Sequence, residues 1–143
     1  MPRLKKIMVV DDEAGIRNLL FDVLSGEGFN VTLAKDGQDS LKQMKDSRFD
    51  LLITDIHMPR LDGIELLRKM KRAGRKEKVI IMTGKPLDQS RLKKEIPPVF
   101  TYLRKPFHMN HFLEVVSSAL TSVKKKRRAA GSGQRGKRAI NAV

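Results

Sequence analysis

The chain of 143 residues contains no cysteine, so it can carry neither a disulfide framework nor a thiolate metal site. That absence is compatible with a reducing compartment. Long apolar runs are also missing. The basic N-terminus, Met1 to Lys6, is followed by only Ile7 to Val10 before Asp11, Asp12 and Glu13 end the run. This is too short for a signal-peptide core or a membrane span, and we expect a cytoplasmic protein. No internal repeat of useful period is present. From Lys124 onward acidic residues are absent, while eight Lys or Arg occur there. The formal charge of +14 is therefore unevenly placed: the first 123 residues carry 22 basic and 16 acidic side chains, a net +6. The strongest basic signal belongs to the tail.

What is present alternates between short apolar runs and helical patterns. Ile7-Met8-Val9-Val10, Leu51-Leu52-Ile53 and Val79-Ile80-Ile81-Met82 are continuous. Phe29 to Ala34 alternates, and Val99 to Leu103 is mixed. Between these runs, Ile16, Leu19, Leu20, Val23 and Leu24 share a helix face, ended by Gly28. Leu41 and Met44 mark a second helix over Gly37 to Lys45. Ile64, Leu66, Leu67 and Met70 mark a third. A short polar helix is expected over 87–95, ended by Pro97 and Pro98, which cannot continue it. Phe112, Val115, Val116 and Leu120 mark a last helix.

This βαβαβαβαβα pattern predicts a parallel sheet covered by helices. Strands buried on both faces read as continuous apolar runs, so the first, third and fourth are interior and the second and fifth are edges. A doubly wound, flavodoxin-like α/β fold with strand order 2-1-3-4-5 and right-handed crossovers fits, although periodicity alone admits other doubly wound orders. In the 2-1-3-4-5 order the winding reverses between strands one and three, where ligands bind beyond the strands' carboxyl ends.

Asp11, Asp12 and Glu13 follow the first strand, and Asp55 follows the third. In this sheet those ends are neighbours. Two carboxylates about 4 Å apart repel by about 4 kcal/mol at an effective dielectric of 20, which packing would not select. A hard divalent cation removes the conflict, and oxygen-only ligands suit Mg²⁺. Lys105 ends the fifth strand. Asp11, Asp12, Asp55 and Lys105 together carry −2, which one Mg²⁺ neutralises, so that the site can accept a dianionic phosphoryl group. Acids at a helix N-terminus also favour the dipole, and this accounts for Glu13. It does not account for Asp55 or Lys105. Thr83, before Gly84, reads as a strand-end or helix-capping threonine, or as a hydroxyl that bonds a phosphoryl oxygen.

These residues resemble the receiver domain of bacterial two-component response regulators, of the stand-alone, CheY-like type. The resemblance covers residues 4–123. It rests on Val9-Val10-Asp11-Asp12-Glu13, on Ile53-Thr54-Asp55-Ile56-His57-Met58-Pro59 with Leu61-Asp62-Gly63, on Met82-Thr83-Gly84, and on Tyr102-Leu103-Arg104-Lys105-Pro106-Phe107. That family's fold has the order 2-1-3-4-5. The resemblance implies that Asp55 takes a phosphoryl group from a phosphohistidine on a histidine kinase or phosphotransfer protein. It implies Mg²⁺ ligands in Asp12, Asp11 (largely through water), Asp55 and the backbone carbonyl of His57. Lys105 would pair with phosphoryl oxygens, and Thr83 and Tyr102 would form the switch. The protein would not be an enzyme beyond its own phosphorylation and dephosphorylation. It would act as a monomer or as a dimer that forms on phosphorylation, controlling a downstream partner protein.

Two features depart from the family. Ile96-Pro97-Pro98 stand where small residues are usual, and Gly84 replaces a common alanine. The basic tail, 124–143, reads as a disordered, solvated segment too short for an output domain. Lys124 to Arg128 could attract nucleic-acid phosphates, but the tail has no interleaved aromatics and no reading motif. A phosphatase of the haloacid dehalogenase type would also use an Asp nucleophile with Mg²⁺. It would need Asp-x-Asp after the first strand, where this chain has Asp-Asp-Glu. The basic cluster from Arg68 to Lys76 suits a helix C-terminus. His108 and His111 lie three residues apart without a third metal ligand nearby in sequence.

Overall fold

The computed structural model describes residues 3–85 and 92–121. Five strands and four helices occur among them: β1 (Lys6–Val10), α1 (Ala14–Gly26), β2 (Asn30–Ala34), α2 (Gly37–Met44), β3 (Leu51–Asp55), α3 (Gly63–Arg72), β4 (Lys78–Thr83), β5 (Thr101–Arg104) and α4 (Met109–Thr121). The described residues fall into two compact units, one ending at Lys105 and the other starting at Pro106.

The first unit holds the sheet, whose strands are all parallel in the order β2-β1-β3-β4-β5. The continuous apolar runs are the three interior strands. Ile7 to Val10, Leu51 to Ile53 and Val79 to Met82 have no exposed surface. β2 and β5, at the edges, are only partly buried. Successive side chains point to opposite faces of a strand. Met8, Val10, Leu52, Val79 and Ile81 share one face, where they pack with Met44 of α2 and with Leu66, Leu67 and Met70 of α3. Ile7, Val9, Leu51, Ile53, Ile80 and Met82 therefore occupy the other face. α1 packs against β1 and β2 and buries Leu20 and Leu24, which stand outside that first cluster. Leu19, expected on the same stripe, is 48% exposed.

The starts of α2 and α3 are set by acidic caps. Asp36 accepts a hydrogen bond from the Asp39 N–H at 2.8 Å, and Asp62 accepts one from the Glu65 N–H at 2.9 Å. Each satisfies a backbone donor that a helix start leaves open, worth about 1 kcal/mol. α3 ends in Lys69, Lys71 and Arg72, which suit the negative end of its dipole. The polar helix expected over 87–95 falls largely outside the described residues. Within them, residues 92–95 form a turn in which the Glu95 and Ile96 N–H groups donate to the Leu92 carbonyl. The basic tail beyond Val123 also lies outside the described residues.

The second unit contains α4. Phe112, Val116 and Ala119 are its buried residues, one turn apart. The rings of Phe107 and Phe112 stack with centroids 5.4 Å apart, and the Phe112 N–H donates to the His108 carbonyl.

Candidate functional site

The site forms where β1 and β3 end side by side. Residues Val10 and Thr54 are in register, so the residues that follow each strand meet beyond its carboxyl end. Asp11 is completely buried and Asp55 is 7% exposed, while Asp12 is exposed. Carboxylate oxygens of Asp11, Asp12 and Asp55 all lie within 4.8 Å of one another.

Lys105 joins this cluster from the far side of the sheet. Its backbone N–H donates to the Thr83 carbonyl at 2.8 Å, continuing the β4–β5 ladder by one residue. That bond fixes the direction of its side chain. The ammonium Nζ donates to Asp11 Oδ2 at 2.9 Å and to Asp55 Oδ2 at 3.1 Å. Burial alone would lower the Lys105 pKa. The hydrogen bond it donates to Asp11, and the charges of Asp11 and Asp55, outweigh it and raise the pKa above the usual lysine value. Lys105 is therefore a permanent cation at neutral pH.

The other oxygens of the two buried carboxylates are held by backbone. Asp55 Oδ1 accepts the Ile56 N–H at 2.7 Å, and Asp11 Oδ1 accepts the Glu13 N–H at 2.9 Å. The Arg17 guanidinium donates to the Asp11 carbonyl at 2.8 Å. Asp55 thus presents one oriented oxygen, Oδ2, toward the acid cluster.

The turn after Asp55 is fixed by close backbone approach. A Cβ at Gly63 would lie 2.1 Å from the Asp55 carbonyl oxygen, and the Gly63 N–H donates to the Ile56 carbonyl. A Cβ at Gly37 would lie 2.3 Å from the Leu61 carbonyl oxygen, to which the Gly37 N–H donates. Only glycine fits at either position. The β3–α3 loop is thereby clamped from both ends. Arg60, within it, has φ = 66° and pairs with Asp36 at 2.9 Å. Asp36 is 2% exposed. His57 lies in the same loop and is exposed.

Thr83 closes β4 and is buried, next to Arg104 across the ladder. Its hydroxyl donates to the Lys85 carbonyl at 2.9 Å and accepts the Lys85 N–H at 3.2 Å. Tyr102 is in register with Ile81, half-buried against the first core cluster. Burial raises the pKa of its phenol.

Asp11, Asp12, Asp55 and Lys105 are brought together as their strand-end positions predict. Two side-chain contacts escaped the sequence reading. Glu13, assigned there to the helix dipole, makes no side-chain cap, and its carboxylate lies 3.6 Å from Lys105 Nζ. It adds a fourth, exposed acid to the rim. The Arg60–Asp36 pair was also missed, because 24 residues separate the partners. The backbone strain at Arg60 has no sequence signal, since Arg is not a residue that favours positive φ. Gly63 was legible as the end of Leu61-Asp62-Gly63, though its contact with Asp55 was not. Among the described residues the three aspartates are the only group of side chains placed to share a metal, and His108 and His111 join no such group. The donor set is all carboxylate oxygen, which fits a hard divalent cation such as Mg²⁺ and excludes a soft-metal site. Lys105 already supplies one positive charge to the same oxygens.

The model of the response regulator receiver domain matches residues 7–117. The sporulation initiation phosphotransferase F of Bacillus subtilis is 37% identical over 117 residues, covering 81% of this chain and 94% of that protein. A probable transcriptional regulator, ycf29, of Pyropia yezoensis is 34% identical over 117 residues, covering 80% of this chain. The chain spans only about half the length of ycf29, and of the mycobacterial MprA response regulators that it also matches. Among solved structures, the response regulator TrrA of Thermotoga maritima, in complex with Mg²⁺–BeF, superimposes with a TM-score of 0.72 at 32% identity. The match covers 82% of this chain and all of that one. Chemotaxis protein CheY4 of Vibrio cholerae gives a TM-score of 0.75 at 25% identity, with the same coverage.

Proposed function

Because the chain belongs to the response regulator receiver family of two-component systems, we propose that Asp55 is its phosphoacceptor and that residues 4–123 form the phosphorylated unit. The observation that carries this reading is the Lys105 ammonium bridging Asp11 and Asp55, at 2.9 and 3.1 Å. It orients the acceptor carboxylate and stands ready to pair with the oxygens of an incoming phosphoryl group.

Asp11, Asp12, Asp55 and the His57 backbone carbonyl are the groups that would hold Mg²⁺. When bound, the ion neutralises charge on the acid cluster and on the transferred phosphoryl oxygens. The chain's own residues do the rest. Asp55 Oδ1 is fixed by the Ile56 N–H, which leaves Oδ2 as the nucleophile. Its electron pair attacks phosphorus in a phosphohistidine of a histidine kinase or phosphotransfer protein. The P–N bond breaks, its electron pair stays on the imidazole, which takes up a proton, and Asp55 becomes an acyl phosphate. Lys105 passes from the carboxylate to a phosphoryl oxygen. Attack by water later releases inorganic phosphate and restores the carboxylate. The protein turns over no substrate other than its own phosphoryl group.

Thr83 supplies the switch. Its hydroxyl is spent on the Lys85 carbonyl. A phosphoryl group on Asp55 offers a stronger, charged acceptor, and Thr83 turns to it. Tyr102 follows inward, and the altered surface controls a partner protein. Thr83→Ala should therefore keep phosphoryl uptake but lose the shift of the Tyr102 ring signals in the NMR spectrum that accompanies it. No helix among the described residues is long and apolar enough to cross a membrane, and we place the protein in the cytoplasm with its kinase. Protein contact is the favoured output over binding of nucleic acid through the basic tail. No feature of the site favours a phosphatase, since β1 is followed by Asp-Asp-Glu.

The test is incubation with Mg²⁺ and acetyl phosphate, followed by electrophoresis on a phosphate-retarding gel. Wild type should give one retarded band and Asp55→Asn none. A retarded Asp55→Asn band would end the assignment.

A further inference from the structure

Far from the acid cluster, at the opposite end of the parallel strands, an apolar furrow opens beside the residues that depart from the family. A groove of about 430 Å³ is lined by Ile96, Pro97, Pro98, Val99 and Tyr102, with Lys71 and Lys93 on its rim. A second groove, of about 520 Å³, shares Lys71, Pro97 and Pro98 and carries the furrow past Lys76 and Lys78. Each is of a size that takes a peptide side chain or small ligand, and in both the apolar lining outweighs the polar.

Among the described residues, the acids beside the furrow are paired, Glu77 with Arg75 and Glu95 with Arg68, which leaves its unpaired charge positive. Lys93 and Lys76 are exposed and form no ion pair among the described residues. Lys71 donates to the Lys94 carbonyl and holds the 92–95 turn against α3, fixing one wall. Pro97 is buried and Pro98 exposed. Their rings hold the other wall in a preset backbone, which lowers the ordering cost of any occupant.

We propose that this furrow docks a segment of a partner protein in which acidic residues flank an aliphatic or aromatic side chain. The apolar side chain enters between Pro98, Val99 and Tyr102, and the acids meet Lys71, Lys76 and Lys93. Nucleic acid fits this chemistry poorly. Phosphate recognition draws on backbone N–H groups, and two consecutive prolines remove two of them. The floor is aliphatic and proline-rich instead of an aromatic platform for bases. This docking does not depend on the phosphoacceptor reading.

The experiment is selection of a displayed random peptide library on the full chain, followed by affinity measurement with labelled synthetic copies of the selected peptides. We expect them to carry acidic residues around an aliphatic or aromatic position. Lys93→Glu and Pro98→Asp should each weaken their binding about tenfold or more, a shift of about 1.4 kcal/mol or more. Arg48→Glu makes the same charge change outside the furrow and should leave binding within about twofold. All three positions are exposed, and thermal melting should confirm that the variants fold. Each should still take up phosphate from acetyl phosphate, so loss of docking and failure of the phosphoacceptor assignment give different results. Selected peptides without acidic bias, an empty selection, or peptides indifferent to Lys93→Glu and Pro98→Asp would overturn the proposal. So would a DNA or RNA duplex whose binding falls with Lys93→Glu while no peptide binds.

Discussion

At Lys105 one ammonium group satisfies two buried carboxylates that would otherwise repel each other. It also competes with a divalent cation for the same oxygens. Lys105→Ala should leave Mg²⁺ affinity, measured by calorimetry, unchanged or higher, because the site loses its resident cation. The same variant should lose most phosphoryl-dependent signalling, because no group remains to pair with the phosphoryl oxygens. A large fall in Mg²⁺ affinity would contradict this division of roles. Arg60 shows a different kind of constraint. A non-glycine residue at φ = 66° is strained by about 1 kcal/mol or more, and here the ion pair with buried Asp36 offsets it. Burial alone would raise the Asp36 pKa, but the Arg60 bond and the Asp39 N–H outweigh it, and the carboxyl sits below its usual value. Arg60→Gly should relieve the strain and lose the pair, so its melting temperature should change little. Arg60→Ala keeps the strain without the pair, and should melt clearly below both wild type and Arg60→Gly.

Among the elements, the β3–α3 connection is the one that the site depends on most. Gly63→Ala would place a Cβ 2.1 Å from the Asp55 carbonyl oxygen. The backbone at the phosphoacceptor must then move, at a cost of about 1–3 kcal/mol. Denaturant unfolding should report that loss, and the rate of phosphoryl uptake should fall with it. The contact was not legible in the sequence, because Gly63 lies eight residues beyond Asp55 and only the folded turn brings the two backbones together. The strands were more legible. β1, β3 and β4 are buried on both faces, so each carries a continuous apolar run, Ile7 to Val10, Leu51 to Ile53 and Val79 to Met82, and the edge strands β2 and β5 show their polar positions. The α1 stripe was read too broadly, because Leu19 lies to one side of the line through Leu20 and Leu24. Glu13 was read incompletely for a related reason: sequence places it at a helix start, where the structure also has it, but only the fold shows that Lys105 arrives there from the other side of the sheet.

Across the sheet, Asp11, Asp12 and Asp55 lie together at the carboxyl ends of the strands, and Lys71, Lys76 and Lys93 border the furrow at the opposite, basic end. The sheet order places Asp11, Asp12 and Asp55 together; composition separated interior from edge strands, while the order itself was singled out only by the resemblance to the receiver family. At the basic end, Glu77 is buried, and it accepts hydrogen bonds from Arg75 and from the Phe49 N–H. Burial alone would raise its pKa, but these partners outweigh it and hold the carboxyl below its usual value. A depressed folded pKa gives stability that is present above the unfolded pKa, near 4.5, and lost as pH falls through the folded value. Asp50, held low first by its hydrogen bond with Arg3, acts in the same direction. The protein should therefore lose stability below about pH 4.5. Arg75→Ala, which strips the buried carboxylate of its cation, should cost about 3 kcal/mol at neutral pH and move the acid-unfolding midpoint upward. An unchanged midpoint would contradict the assignment of this pair.

The central claim is that one carboxylate, Asp55, carries the phosphoryl group. Acetyl phosphate with Mg²⁺, followed by borohydride reduction, converts an aspartyl phosphate to homoserine, which peptide mass spectrometry then locates. Homoserine at Asp55 alone, absent when Mg²⁺ is chelated, is the result predicted here. Homoserine at Asp11 or Asp12, or none at Asp55 in a folded and Mg²⁺-loaded protein, would contradict it.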